Sequence, residues 1–100
     1  MKRWPQKIKR LRRRLGLTLG ELGALFCGSP ALVCQWEKGK YAPGSGNATL
    51  LAIIIDGVET ASKTVPRSEL YALGERVRIL IDGGDPYAPA KYLLSQLLAA

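Results

Sequence analysis

Signals that stop and restart a helix crowd the first 45 residues, and their spacing leaves room only for short helices. Gly16 ends one apolar-periodic segment and Gly39 ends another. Between them lie two new starts. Thr18 with Glu21 three residues later is a capping box, and Ser29-Pro30 places an N-cap before the residue best tolerated at a first helical position. Helices this short are marginal alone, so their apolar stripes must be buried against one another.

The first helix is expected over about Gln6 to Leu15, after Trp4-Pro5. Ile8, Leu11 and Leu15 share one face, and Lys7, Arg10 and Arg14 share another, flanked by Lys9 and Arg13. The second opens at Thr18 and ends at Cys27-Gly28, with Leu22, Leu25 and Phe26 apolar. Gly20 and Gly23 each cost roughly 1 kcal/mol against Ala, and Gly23 makes sense if another helix crosses closely there. The third runs from Ser29 to about Glu37. Three residues or fewer separate the second and third helices, and two short helices joined by a tight Gly-containing turn make a helix-turn-helix.

Lys40 to Gly46 reads as a loop, and Ser45 or Asn47 caps a fourth helix to about Asp56. A strand over Leu50–Ile55 is the alternative on periodicity alone, but the cap signals and helical surroundings favour helix. Gly57 to Val65 reads as either a short helical turn over Val58–Ser62 or a linker. A fifth helix follows from Pro66 to about Asp82, with Leu70, Leu73, Val77, Leu80 and Ile81 on its stripe. The last begins at Asp85-Pro86, or at Ala88, and runs to about Leu98 with Leu93, Leu94, Leu97 and Leu98 apolar. The expected fold is all-α: a compact helix-turn-helix bundle of four to five helices followed by two C-terminal amphipathic helices.

The 100 residues carry a formal charge of +7, unevenly placed. Residues 1–40 hold ten basic side chains against Glu21 and Glu37, a balance of +8, while residues 41–100 balance at −1. A solvated basic tail is the plain reading of such a cluster, and an anionic partner is the functional one. A secretory leader needs an apolar run after its basic residues, and IKRLRRRLGL is not one. The longest apolar run, Leu50 to Ile55, is far short of the roughly 20 residues of a membrane span, so no membrane partner is expected.

Catalysis is not expected either. The chain is too short for a Rossmann domain, a barrel or a kinase, and it has no His, the commonest general base and metal ligand. Two Cys without His cannot build a structural zinc site. Glu21, Asp56, Glu59, Glu69, Glu75, Asp82 and Asp85 show no paired arrangement for acid–base chemistry. No metal and no cofactor are expected. Cys27 and Cys34 flank or lie on the third helix. A redox switch is one reading of them, but we take the other, two small residues in a reducing cytosol.

Two motifs bracket the basic segment: R-x-x-x-G-L-T at Arg12 to Thr18 and W-E-x-G-K-x-x-P at Trp36 to Pro43. With the length between them, residues 6–55 resemble the helix-turn-helix family of phage repressors and Cro-like regulators, the Xre family. The tail P-G-S-G-N-A-T-L-L at Pro43 to Leu51 resembles the members that act as antitoxins in toxin–antitoxin operons. The sequence departs from the family at Leu19, where Gln is frequent, and at Cys27, where Gly is. The first departure removes a polar contact near the DNA backbone, and the second alters the turn.

The resemblance implies a DNA-binding domain over residues 1–62 and a C-terminal helical segment, 63–100, for dimerisation. It implies that the third helix enters the major groove of double-stranded DNA, with Ser29, Pro30, Ala31, Leu32, Cys34 and Gln35 towards base edges. Gln35 can pair with adenine through two hydrogen bonds, whereas Pro30, Ala31 and Leu32 offer apolar contact with thymine methyls. Phosphates are assigned to Lys7, Arg10, Arg13, Arg14, Thr18, Lys38, Lys40 and Tyr41, with Lys9 alongside, and Lys2 and Arg3 as a minor-groove arm. A solubilising face is the alternative for the arginines. Arg12 and Glu37 are assigned a structural salt bridge between the first and third helices. Val33 and Trp36 are expected in the core, not between bases.

The apolar residues of the last two helices exceed what capping a small core requires. One expectation is a homodimer closed through Leu70, Leu73, Val77, Leu80, Leu93, Leu94 and Leu97. The other is that these helices pack on their own first half, and the two can coexist. Three functions follow from the residues and the resemblance. The first is a cytoplasmic transcriptional repressor of a bacterium or its phage, reading an inverted repeat as a homodimer. The second is an antitoxin with a toxin protein as further partner. The third is an adaptor that reuses the fold without DNA.

Overall fold

The structure, a computed structural model, describes residues 4–26 and 28–99. The expectations for Lys2, Arg3 and Cys27 lie outside the described residues. The described chain is all-helical: α1 (Trp4–Leu15), α2 (Leu19–Leu25), α3 (Pro30–Glu37), α4 (Ser45–Ala61), α5 (Arg67–Asp82) and α6 (Ala88–Ala99). No helix among the described residues is long and apolar enough to cross a membrane.

The punctuation acts through specific backbone bonds. At Gly16 (φ 68°) the Gly16 N–H donates to the Arg13 carbonyl at 3.2 Å and the Leu17 N–H to the Arg12 carbonyl at 3.0 Å. Gly39 (φ 74°) ends α3 in the same way, with Gly39 N–H to Trp36 at 3.1 Å and Lys40 N–H to Gln35 at 3.0 Å. Both are Schellman closures, and both need a residue that accepts the left-handed region. Gly23 is buried, and a methyl there would fall 2.8 Å from the Ser29 carbonyl oxygen. The close neighbour is therefore the entry into α3.

Three boundaries differ from expectation. α1 starts at Trp4, two residues earlier than the apolar stripe suggests. Neither Ser45 nor Asn47 caps α4: Gly44 is its N-cap, without a side-chain bond, and its carbonyl accepts from the Ala48 N–H at 2.7 Å. α4 also continues through the ambiguous segment to Ala61. Gly57 lies inside it because Leu97 of α6 packs there, and a methyl at Gly57 would meet Leu97 Cδ1 at 3.0 Å. Packing against α6 offsets the roughly 1 kcal/mol that a mid-helix Gly costs.

One core runs through both halves of the chain. Ile8, Leu11, Leu15, Leu22, Leu25, Val33, Trp36, Leu51, Ile54 and Val58 share it with Val77 and Leu93. Part of the dimer face read from the sequence belongs to this core, as the reading of packing on the first half expects. Leu70, Val77 and Leu93 are buried within the chain itself, and Leu73, Leu94 and Leu97 are half-buried against the same core. Leu80 is also half-buried. The physical reason is area: the first four helices leave apolar surface along α1 and α4, and α5 and α6 cover it.

α5 is seated on the end of α1 by one stripe. Tyr71 lies over Gly16, Gly74 abuts the Leu15 carbonyl, and Arg78 Nη2 donates to the Gly16 carbonyl at 2.8 Å. These residues recur at helical spacing and so share a face.

Candidate nucleic-acid interface

α3 has one locked side and one open side. On the locked side Val33 and Trp36 are buried, and the Trp36 ring meets Phe26 edge-on with centroids 5.6 Å apart. Glu37, only 7% exposed, receives two hydrogen bonds from Arg12: Nε to Oε2 at 2.7 Å and Nη2 to Oε1 at 3.1 Å. That bond to Glu37 raises the Arg12 pKa against the opposing effect of burial, so the guanidinium is held in its charged form.

The open side carries the residues expected at base edges. Ser29, Pro30 and Ala31 are exposed, and Leu32, Cys34 and Gln35 are half-buried. Ser29 also caps the helix, its Oγ accepting from the Leu32 N–H at 3.4 Å. Lys38, Lys40 and Tyr41 follow directly and are exposed, Tyr41 to 64%. The start of α2 is a neighbour, since a methyl at Gly20 would lie 3.4 Å from Pro30 Cγ.

Thr18 is engaged in its own helix. Its Oγ1 accepts from the Glu21 N–H at 3.1 Å, and its N–H donates to Glu21 Oε1 at 2.8 Å. The Thr18 hydroxyl hydrogen remains available to an anion. The other Glu21 oxygen, Oε2, accepts from Arg78 Nε, and Arg78 also pairs with Glu75. α5 therefore completes the cap of α2.

The α1 cations do not gather around α3. Arg14 pairs with Glu59 of α4 at 2.7 Å, and Arg10 reaches the same carboxylate at 3.5 Å. Arg12 and Arg14 are two residues apart, on opposite flanks of a 3.6-residue helix, so Arg12 serves α3 while Arg14 serves α4. Arg10, Arg13 and Arg14 line a separate cleft with Gln6, Lys9 and Arg67. Lys7 is exposed elsewhere, at a hollow lined by Trp4, Ala52, Ile55 and Asp56.

Comparison of the chain with known family models, curated proteins and solved structures gives no match. Its interface is therefore read from its own geometry. Sequence reasoning missed Glu59, Arg67 and Arg78. Each acts on a residue about 45 or more positions away, and no local spacing marks such a pair.

Two carboxylates link the halves, and both titrate below their ordinary range. Burial pushes the Glu21 carboxyl up, but bonds from Arg78 and Thr18 more than offset it. For Glu59 the adjacent Arg14 guanidinium lowers the pKa and outweighs burial. The unfolded chain takes up these protons first as pH falls through about 4.3. Their stabilisation is therefore present above that pH and is lost as pH falls through the lower folded values. The urea midpoint is expected to hold from neutral pH to about pH 5 and to drop below about pH 4. Glu59→Gln should shrink that drop, as followed by Trp fluorescence across a pH series.

Proposed function

We propose that the chain is a sequence-specific DNA-binding regulator, a repressor of the phage-repressor and Cro type, with α2 and α3 as its helix-turn-helix. One observation carries this reading. α3 is fixed by Trp36, Val33 and the Arg12–Glu37 pair along one side, and its other side is open and followed by Lys38, Lys40 and Tyr41. A short helix held along one side, with an open edge and trailing cations, suits a major groove flanked by phosphates.

In this reading Gln35 reads a base, Ser29, Pro30, Ala31, Leu32 and Cys34 shape the contact, and Lys38, Lys40, Tyr41 and Thr18 meet phosphates. The base-reading chemistry of one α3 is sparse, so a second copy supplies the rest of the specificity. A two-fold pair reads an inverted repeat with half-sites about 10 bp apart.

The test is selection of bound sequences from a random duplex pool, with footprinting and sedimentation at the binding concentration. An inverted repeat and a dimer are expected. Gln35→Ala should cost about 1–3 kcal/mol of binding and relax one base position. Lys38→Ala should weaken all sequences alike and lower the salt slope by about 0.9. A pool with no enriched sequence rejects the reading and leaves an adaptor role.

A further inference from the structure

The cleft between the outward face of α1 and the start of α5 is lined by Gln6, Lys9, Arg10, Arg13, Arg14 and Arg67. Five of these are cations. Glu59 pairs with Arg10 and Arg14 at its edge, but among the described residues no carboxylate pairs with Lys9, Arg13 or Arg67. Cations gathered this closely repel one another, and an anion between them relieves that repulsion.

The packing of α5 sets the position of Arg67. Arg67, Tyr71, Gly74 and Arg78 lie on one face of the helix, and the last three are seated on the end of α1 and on Glu21. Arg67 is thereby delivered to Arg13 and Arg14 by the contacts that close the fold.

The lining decides the kind of ligand. Among the described residues no apolar or aromatic side chain lines the cleft, whereas a protein partner is normally held by apolar and aromatic anchors at the centre of its interface. Four of the five cations are Arg, whose planar fork matches phosphate oxygens in pairs.

We propose that this cleft is a second nucleic-acid site, which holds the phosphate backbone of a duplex without reading its sequence. It lies on the α4–α5 side of α1, away from the flank that Arg12 turns towards α3. On the proposed function a further duplex lies on α3. The chain then joins two duplex segments, or two stretches of one bent duplex. This site does not depend on α3 reading DNA.

The test uses the full chain with Gln35→Ala, Lys38→Ala and Lys40→Ala, which removes the α3 contacts. Its binding to a labelled random-sequence duplex is measured by anisotropy at several salt concentrations. This variant is expected to keep salt-sensitive duplex binding. Adding Arg13→Ala and Arg67→Ala, neither of which joins an ion pair among the described residues, should weaken it about tenfold and reduce the salt slope by about 2. Arg13→Lys with Arg67→Lys should restore most of it, and unchanged thermal midpoints show that the fold is intact.

Equal duplex binding with and without the two alanines overturns the proposal. It is also overturned if the alanines release poly-glutamate but not duplex, which makes the cleft an acidic-protein site. Saturable pyrophosphate binding that the alanines abolish while duplex binding stays unchanged overturns it in favour of a small phosphate ester. Failure of the α3 reading would appear separately, as unchanged sequence selection in the Gln35→Ala, Lys38→Ala, Lys40→Ala parent.

Discussion

Gly74→Ala is expected to lower folding stability by about 3 kcal/mol or more, as a fall in the urea midpoint at constant slope. Gly74 is buried where α5 crosses the last turn of α1, and its missing Cβ is what lets the helices touch. A methyl there would lie well under 3.0 Å from the Leu15 carbonyl oxygen, with the Leu15 carbonyl carbon and Cα close behind. Those atoms are backbone, held by the Gly16 closure, so no rotamer change relieves the clash. α5 must lift instead, which pulls Val77 from the core and Arg78 from Glu21. Gly46→Ala is the control. Nothing lies within 4 Å of a methyl at Gly46, which sits in the first turn of α4, so alanine there should be neutral or stabilise by up to about 1 kcal/mol. A Gly74→Ala loss below about 1 kcal/mol would mean that α5 is not seated on Leu15.

Arg12→Met is expected to cost about 2–3 kcal/mol, somewhat less than for a fully buried pair because the Arg12 side chain keeps 23% of its exposure. The loss comes mainly from Glu37, left as a charge with little water and no partner. Arg12→Met with Glu37→Leu should regain most of the stability, since two packed apolar side chains often replace an ion pair at little cost. The coupling is read from urea midpoints of the two single variants and the double. Additive losses would show that the 2.7 Å pair contributes nothing beyond its parts.

The local chemistry was legible in the sequence. Gly16 and Gly39 close helices because two backbone bonds each require a left-handed residue, and Thr18–Glu21 and Ser29-Pro30 open helices through bonds spanning three residues. The open side of α3 came from the resemblance alone, and Val33 and Trp36 are buried on the other side. What was not legible joins distant segments. Gly74 looks like a defect in α5 until α1 lies against it, and Gly57 looks like a helix end until Leu97 covers it. The charge count placed +8 in residues 1–40, but it could not show that Arg10 and Arg14 turn to Glu59, whereas the Arg12–Glu37 pair was expected from the resemblance. Nor could it show that Arg67, from the near-neutral half, joins the α1 cations in one cleft.

The shared core also orders events during synthesis. Domains fold as units while the chain emerges, yet this one keeps Val77 and Leu93 among its innermost residues and closes the cap of α2 with Arg78. The helices proposed to read DNA are made before α5 and α6 and complete their packing only once those two are made. A chain terminated before α5 carries the whole proposed recognition surface on a core that lacks Val77 and Leu93 and on an α2 cap without Arg78. Such a fragment is a poor competitor for the binding site of the finished protein and a ready substrate for proteases.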